Sequence, residues 1–123
     1  MGLGTDIVEI IRIARQLEKS QRLAERVLTP TEMLMFKAHK FPERFLAKRF
    51  AAKEAAAKAL GTGIGSGVSF QNMEVVNLTS GQPTLVFSGE FAQLCKNRDI
   101  NRSFISISDE QHYAMATVIL ESD

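Results

Sequence analysis

The sequence has no tryptophan, one tyrosine, three prolines and a single cysteine, Cys95. One cysteine cannot form an internal disulfide, which is typical of a reducing compartment. No apolar run approaches the ~20 residues that a membrane-spanning helix requires. The N-terminus also lacks the basic and hydrophobic segments of a signal peptide. These absences predict a cytoplasmic protein without a membrane span.

Net charge is also small, since 15 basic residues stand against 14 acidic ones. With few aromatic residues and no recognisable binding motif, this balance argues against a nucleic-acid-binding protein. Positive charge is nevertheless concentrated between residues 12 and 26, where five basic residues stand against two glutamates. This excess predicts either a solvated charged face or a surface for an acidic partner protein.

The length of 123 residues is that of one domain, and we expect residues 1–123 to form it. Apolar spacing is helical in the first half and becomes strand-like in the second. Helices are expected over 10–17 and 21–28 (one broken helix or two short ones), 29–40, 42–61 and 90–97. Strands are expected over 3–8, 73–78, 84–87, 104–108 and 113–120. This order predicts an α+β fold, in which helices pack on a small antiparallel sheet.

Two helix boundaries have strong local signals. Thr29 as N-cap, Pro30 as the first helical residue and Glu32 as the third form a capping box. Gly61 suits the left-handed residue that closes a helix. The glycine-rich residues 61–67 match neither the dinucleotide-binding pattern nor the P-loop. They predict either a flexible connector or a backbone that approaches a phosphate.

Residues 49–63 read Arg-Phe-Ala-Ala-Lys-Glu-Ala-Ala-Ala-Lys-Ala-Leu-Gly-Thr-Gly, which is a strong helix up to the first glycine. Glu54 and Lys58 lie on the same side, one turn apart. Glu54 should lie at the edge of the apolar stripe, where a carboxylate can be held still as a metal ligand. The alternative is a solvated Glu–Lys pair that stabilises the helix by roughly 0.2–0.5 kcal/mol.

The same residues closely resemble the signature helix of the 4′-phosphopantetheinyl transferases, most of all the short, single-domain branch, the holo-acyl-carrier-protein synthases. That family also opens with a Gly-x-Asp strand, matched here by Gly4, Thr5 and Asp6. The two motifs have the family's order and spacing, and the resemblance covers essentially the whole chain. It implies the 4′-phosphopantetheinyl transferase fold and a homotrimer with sites at the subunit interfaces.

The resemblance also implies a reaction. The 4′-phosphopantetheine arm of coenzyme A would pass to a serine of an apo-acyl-carrier protein, in support of fatty acid biosynthesis. Adenosine 3′,5′-bisphosphate would be released. The reaction would depend on Mg²⁺, with Mn²⁺ as the other candidate, because a hard ion held by one or two carboxylates can also bind substrate phosphates.

Several residues match family positions with known roles. Asp6 and Glu54 match the metal-binding acids, and Glu54 is the first choice for the general base. Lys58 would neutralise the departing phosphate. The expected coenzyme A site comprises Arg49, Lys53, Lys58, Gly61, Thr62, Gly63 and Ser108. The basic helix that grips the carrier protein is matched by Arg12, Arg22 and Arg26.

One position departs from the family pattern. Many members have Ser-His before the final strand, where this chain has Ser108 and Asp109. Asp109 can accept a proton or hold a water, so it is a candidate catalytic residue, but as an anion it cannot support a phosphate. His112 is not an obvious substitute for the missing histidine.

Two other functions are compatible with these residues. A non-enzymatic module would bind an acidic protein through its arginines and would tolerate Glu54→Gln. A Mg²⁺-dependent hydrolase would cleave a nucleotide pyrophosphate with water as the nucleophile, and would turn over coenzyme A without a carrier protein.

Overall fold

The computed structural model describes all 123 residues and contains five strands and five α-helices. In chain order they are β1 (Gly2–Glu9), α1 (Ile10–Lys19), α2 (Arg22–Val27), α3 (Pro30–Ala38), α4 (Pro42–Leu60), β2 (Met73–Asn77), β3 (Pro83–Phe87), α5 (Gly89–Asn97), β4 (Arg102–Asp109) and β5 (Tyr113–Glu121). A short 3-10 helix, Phe70–Asn72, precedes β2. None of the helices combines the length and apolar character needed to cross a membrane.

Two antiparallel sheets confirm the predicted α+β class. The larger has the strand order β1-β5-β4, and the smaller is the β2-β3 hairpin. In the larger sheet Asp6 lies opposite Ala116, which in turn lies opposite Ile107. Strands from the two ends of the chain are therefore neighbours, with the last strand in the middle.

Local signals fixed the helix ends as predicted. The Thr29 hydroxyl accepts a hydrogen bond from the backbone N–H of Glu32, whose carboxylate accepts one from the N–H of Thr29. Gly61 closes α4 with a φ of 87°. The segment after β1 forms two short helices, which was one of the two predicted alternatives.

Helix α4 packs unusually close to β1 because both surfaces are made of small residues. A Cβ atom added to Gly4 would lie 2.0 Å from the carbonyl oxygen of Ala55, so only glycine fits there. The alanines that α4 buries are Ala47, Ala51, Ala52, Ala55, Ala56, Ala57 and Ala59. This close approach brings acidic side chains of β1 and α4 to one edge of the interface.

The opposite face of the larger sheet is uncovered and partly apolar. Side chains on this face alternate with those that α4 covers, as expected for a strand. Its exposed apolar residues are Leu3, Ile7, Phe104, Tyr113 and Met115, of which Leu3 and Ile7 are 65% and 62% exposed. We call this set the outer face. An apolar surface of this kind on a small protein indicates an interaction site.

Candidate active site

Asp6 and Lys58 form an ion pair at the β1–α4 edge. The Nζ of Lys58 donates to Oδ1 of Asp6 at 2.8 Å and to the carbonyl oxygen of Thr5 at 3.1 Å. The other oxygen of Asp6, Oδ2, is buried and has no hydrogen-bond partner. An unpaired buried carboxylate oxygen is costly, so this atom indicates a place for a missing donor or cation.

Glu54 is half-buried beside this pair. Burial raises the pKa of Glu54, and the nearby charge of Asp6 raises it further, while Lys58 and Arg26 oppose the shift. Two carboxylates that repel each other at a partly desolvated edge attract a cation. Lys58 pairs with Asp6 and not with Glu54, so the predicted alternative of a simple Glu54–Lys58 pair is wrong.

This donor set fits a hard divalent ion. Mg²⁺ typically takes one or two protein carboxylates and completes its shell with waters and substrate phosphates. Nowhere in the chain do three metal-ligating side chains converge. The carboxylates of Asp6 and Glu54, with the unpartnered Oδ2 of Asp6, are therefore the residues that would hold such an ion.

The predicted basic residues lie on α1 and α2 and are exposed. Arg12 donates to Glu9 at 3.0 Å with its side chain 78% exposed, and Arg22 has no ion pair. The guanidinium of Arg26 lies over the ring of Phe70, 5.3 Å from the ring centroid. The charge of Arg26 also lowers the pKa of Glu54, so this one arginine lies within electrostatic range of the carboxylate pair.

Lys53 is fully buried, which contradicts its predicted contact with a coenzyme A phosphate. Its Nζ donates to Oε1 of Glu32 at 2.6 Å and to the carbonyl oxygens of Val27 and Phe70 at 2.6 and 3.2 Å. Burial lowers the pKa of Lys53, and Glu32 opposes that shift. With all three hydrogen bonds of the ammonium used inside the protein, Lys53 is a structural residue.

Arg49 lies between the same buried carboxylate and a surface cavity. Its Nε is buried without a hydrogen bond, 3.8 Å from Oε2 of Glu32, and its guanidinium lies 4.2 Å from the ring centroid of Phe45. Its side chain lines a cavity of about 190 Å³ together with Lys48, Asn77 and Asp109. We call this the Arg49 cavity.

Asp109 is held by Arg44, a residue that the sequence did not suggest. Nη1 of Arg44 donates to Oδ2 of Asp109 at 3.0 Å and to the carbonyl oxygen of Glu110 at 2.8 Å. Its Nη2 donates to the carbonyl oxygen of Gln111 at 3.0 Å. Asp109 is thus fixed at the wall of the Arg49 cavity. Ser108, the residue before Asp109, is exposed and lies on the outer face.

The loop after α4 does not offer free N–H groups at its start. The N–H groups of Gly61, Thr62 and Gly63 all donate to the carbonyl oxygen of Ala57, at 3.1 to 3.2 Å. They complete the helix end, which also carries partial negative charge. Residues 61–63 thus offer a phosphate no free N–H group, and the Thr62 hydroxyl donates to the carbonyl oxygen of Gly63 at 2.8 Å. In the rest of the loop only Gly65 donates its N–H to the backbone, so a backbone approach to a phosphate stays a prediction for residues 64–67.

The predicted residues therefore fall into two groups within one chain. Arg49 and Glu54 are five residues apart on α4, which rotates them about 140° from each other around the helix. Asp6, Glu54 and Lys58 lie at the β1 edge, while Arg49 and Asp109 lie at the end of β4. Neither Asp6 nor Glu54 lines the Arg49 cavity.

Sequence reasoning missed two charged residues of this region. Glu32 was interpreted only as a helix cap, because nothing local indicates that its carboxylate also meets Lys53, 21 residues away. Arg44 had no signal at all, since its partner Asp109 is 65 residues away. Contacts of this kind depend on the tertiary fold.

Comparison with known proteins gave a family match over nearly the whole chain. The model of the 4′-phosphopantetheinyl transferase superfamily matches residues 2–118. A holo-[acyl-carrier-protein] synthase from Pseudoalteromonas atlantica is 70% identical over 122 residues, which cover 99% of this chain and 97% of that protein.

Solved structures agree with this match. A holo-[acyl-carrier-protein] synthase from Neisseria meningitidis superimposes with a TM-score of 0.92 at 43% identity and covers 98% of both chains. A holo-(acyl-carrier-protein) synthase from Bacillus anthracis in complex with CoA (3′,5′-ADP) gives a TM-score of 0.83 at 42% identity, over 99% of this chain and 96% of the other. The likeness thus extends to both sequence and fold.

Proposed function

The chain belongs to the 4′-phosphopantetheinyl transferase superfamily, and from this we propose that it is a holo-acyl-carrier-protein synthase. It transfers the 4′-phosphopantetheine group of coenzyme A to a serine of an apo-acyl-carrier protein and releases adenosine 3′,5′-bisphosphate. The supporting relatives carry that name, and one related structure contains CoA (3′,5′-ADP). The reaction supports fatty acid biosynthesis, and we place it in the cytoplasm in a single domain, residues 1–123.

The observation that carries this proposal is the half-buried carboxylate pair beside Lys58. The unpartnered Oδ2 of Asp6 and the raised pKa of Glu54 suit a Mg²⁺ or Mn²⁺ ion better than they suit a solvated helix surface. A hard ion held there supplies charge neutralisation on the pyrophosphate of coenzyme A. Phosphoryl transfer requires this neutralisation and in-line positioning more than covalent chemistry by the protein.

The remaining roles fall to side chains at the same edge. Glu54 accepts the proton of the attacking serine hydroxyl, for which a raised pKa is an advantage. The serine oxygen forms a bond to phosphorus while the bond from phosphorus to the oxygen of the bisphosphate breaks. Lys58 is one turn from Glu54 and half-exposed, and it neutralises the charge that develops on the departing phosphate.

The arginines of α1 and α2 bind the carrier protein. Arg12, Arg22 and Arg26 are exposed, and Arg26 lies near enough to Glu54 to influence its pKa. An acidic protein docked on this surface would present its serine to the carboxylate pair. Charges at such a rim mainly set the association rate and its salt dependence.

A homotrimer explains why the candidate residues lie on two sides of α4. The outer face would be covered by a second copy of the chain, and the Arg49 cavity of one subunit would adjoin Asp6, Glu54 and Lys58 of the next. Arg49 then binds a phosphate of coenzyme A, with Thr62 and Ser108 as further contacts. Arginine suits this role because its fork binds phosphate through two hydrogen bonds.

The test is the intact mass of a purified apo-acyl-carrier protein after incubation with the chain, coenzyme A and Mg²⁺. We expect the carrier to gain one phosphopantetheine group with the wild-type chain, and none with EDTA or with Glu54→Gln. The matched control is Glu90→Gln, which changes an exposed glutamate of α5 outside the basic segment and should leave the yield unchanged.

The other outcomes point to the alternative functions. Coenzyme A cleaved beside an unmodified carrier would indicate the hydrolase. Intact coenzyme A and an unmodified carrier, together with carrier binding that Arg22→Glu abolishes, would indicate a non-enzymatic binding module. Either result would overturn the proposed transfer.

A further inference from the structure

We infer that Arg44 is a positioning residue that keeps the Asp109 carboxylate from occupying the Arg49 cavity in place of an anionic ligand. This inference rests on the proposed function, because it takes the ligand of the cavity to be a phosphate of coenzyme A. It assigns a role to a residue that has no predicted part in binding or transfer.

The first observation is the charge of the cavity wall. Lys48 and Arg49 contribute two cations, and Asp109 contributes an anion to the same space of about 190 Å³. The guanidinium of Arg49 is partly neutralised from behind by the buried Glu32, 3.8 Å from its Nε. A further free carboxylate within the cavity would compete directly with a phosphate for the two cations.

The second observation is where the Asp109 carboxylate is held. Arg44 binds it through Nη1 at 3.0 Å, and no ion pair joins Asp109 to Lys48 or Arg49. The same guanidinium also donates to the carbonyl oxygens of Glu110 and Gln111, so it is anchored to the turn between β4 and β5. An arginine fixed by three hydrogen bonds is a stable counter-ion for the aspartate.

Arg44 therefore changes the charge that a ligand in the Arg49 cavity meets. With Arg44 present, the Asp109 carboxylate at the cavity wall is paired with a residue that does not line the cavity, and the two cations remain available. Without Arg44, the carboxylate is free to rotate toward Lys48 and Arg49, since a partly exposed side chain loses little by changing its rotamer. Opposite charges at close range attract each other most strongly where water is partly excluded.

The experiment is a double-mutant cycle on Arg44 and Asp109, read out as binding of adenosine 3′,5′-bisphosphate by calorimetry without metal or carrier protein. We expect Arg44→Ala to weaken binding by roughly five- to tenfold, the range of a charged contact of about 1 kcal/mol or slightly more. In an Asp109→Asn background, the same Arg44→Ala change should cost less than about twofold. Asp109→Asn alone should bind at least as tightly as the wild type.

A kinetic measurement separates positioning from a purely structural role. Arg44→Ala should raise the KM for coenzyme A by the same factor and leave kcat within about twofold. Arg44→Lys keeps the charge but loses the fork, so it should retain most of the affinity even if Arg44→Ala is too unstable to assay. The matched control is the cycle on Arg102 and Glu121, an exposed ion pair of 3.0 Å at the other end of β4, which should leave binding unchanged.

Three results would overturn the inference. In the first, the double variant binds as weakly as Arg44→Ala, which would mean that Arg44 only shapes the turn. In the second, Asp109→Asn alone weakens binding as much as Arg44→Ala does. In the third, Arg49→Ala binds the nucleotide unchanged, which would remove the ligand from the cavity altogether. The transfer reaction is judged separately, by the mass of the carrier protein.

Discussion

Two opposing requirements act on the carboxylate of Glu54. Its carboxylate must be ionised to hold a cation, yet burial and the charge of Asp6 both raise its pKa and favour the protonated form. In the metal-free protein the ionised Glu54 is therefore a destabilising group, and a bound cation reverses its effect. The stability of the protein should thus report on this site directly.

Replacement of Glu54 by glutamine should stabilise the metal-free protein at pH 7. The folded-state pKa lies above the ordinary value of 4.5, so the folded protein binds more protons between those two values. Its stability falls as pH rises through that window and stays lower above it. The expected gain of the variant is less than about 1 kcal/mol, since the side chain is partly exposed.

Urea unfolding in EDTA at pH 7 and at pH 4 measures this effect. This gain in stability should disappear at pH 4, where the Glu54 carboxyl is mostly protonated in both the folded and the unfolded protein. Addition of Mg²⁺ should stabilise the wild type and not the variant. Glu18→Gln on the surface of α1 is the control, and a Glu54→Gln protein less stable than wild type in EDTA at pH 7 would contradict the interpretation.

Lys58 should compete with the metal for Asp6. Its Nζ lies 2.8 Å from Oδ1 of Asp6, so Lys58→Met frees a carboxylate and should tighten Mn²⁺ binding about two- to fivefold, the range of a partly exposed ion pair. The same change should lower transfer by roughly a hundredfold, because the departing phosphate loses a cation.

Binding of Mn²⁺ by electron paramagnetic resonance, beside the mass assay of the carrier, tests both effects of Lys58→Met. Lys96→Met on the exposed side of α5 is the control. Weaker Mn²⁺ binding would show that Lys58 supports the metal site and does not compete with it. An unchanged rate of transfer would remove Lys58 from the reaction.

The role of an individual residue could be predicted from the sequence only where the signal lies in the residues around it. The signature helix pointed to Glu54 and Lys58, and α4 does put both at the edge of the β1 contact. Lys53 stands in the same motif, but it was assigned wrongly, because the burial of a lysine depends on a partner such as Glu32, 21 residues away. Periodicity reveals which side of a helix a residue occupies, but not what faces that side.

At the scale of elements, the contact between β1 and α4 decides the geometry of the site. Each of these two elements contributes one carboxylate, and their backbones approach closely because Gly4 faces Ala55. A larger residue at either position would push the helix from the strand. The spacing of Asp6 and Glu54 thus depends on small buried residues at this contact.

Gly4→Ala should damage stability and metal binding together. The added Cβ would lie 2.0 Å from the Ala55 carbonyl oxygen, and overpacking of this kind costs about 1–3 kcal/mol or more. Because α4 must move away from β1, we also expect Mn²⁺ affinity to fall by roughly tenfold, which corresponds to about 1.4 kcal/mol. Chemical unfolding and Mn²⁺ titration measure the two effects.

Gly89→Ala separates the two effects of Gly4→Ala. Gly89, the first residue of α5, has a φ of +55°, so alanine there is strained by roughly 1 kcal/mol, and Gly89 does not line the Arg49 cavity. Its stability should fall while its Mn²⁺ affinity stays at the wild-type value. Normal Mn²⁺ affinity in Gly4→Ala as well would show that the β1–α4 spacing does not set the site.

Elements were predicted well where their signals lie within a few residues. The capping box of Thr29 and Glu32 and the left-handed Gly61 both formed as expected. The order of the larger sheet was not predictable in this way, since Asp6 and its opposite residue Ala116 are far apart in the chain. Apolar alternation identifies a strand but does not identify its neighbour.

At the scale of the whole molecule, the single chain holds the candidate site residues in two separate groups and leaves one face of the larger sheet uncovered. The metal-binding candidates and the Arg49 cavity lie on different sides of α4, and the outer face exposes Ile7 and Met115. Both features have one explanation if subunits pack through the outer face and share each site. The proposed trimer therefore makes a prediction that no single-chain enzyme would share.

Two inactive variants should restore activity when they occupy one trimer. Glu54→Gln keeps Arg49 intact, and Arg49→Ala keeps Glu54 intact, so a site formed between two chains can still combine both residues. In trimers formed randomly from equal amounts, about one quarter of the interfaces join an intact Glu54 to an intact Arg49. Co-expressed chains should thus regain about a quarter of wild-type transfer.

The measurement requires proof that the two variants assemble together. Native mass spectrometry of co-expressed, differently tagged chains gives the proportion of mixed trimers, and the carrier mass assay gives the activity of the same sample. Separately purified variants, mixed without subunit exchange, are the control and should remain inactive. Mixed trimers without activity would mean that each chain builds its own site. Arg49 would then have to reach the carboxylate pair within one subunit, although Arg49 and Glu54 are separated by roughly 140° around α4.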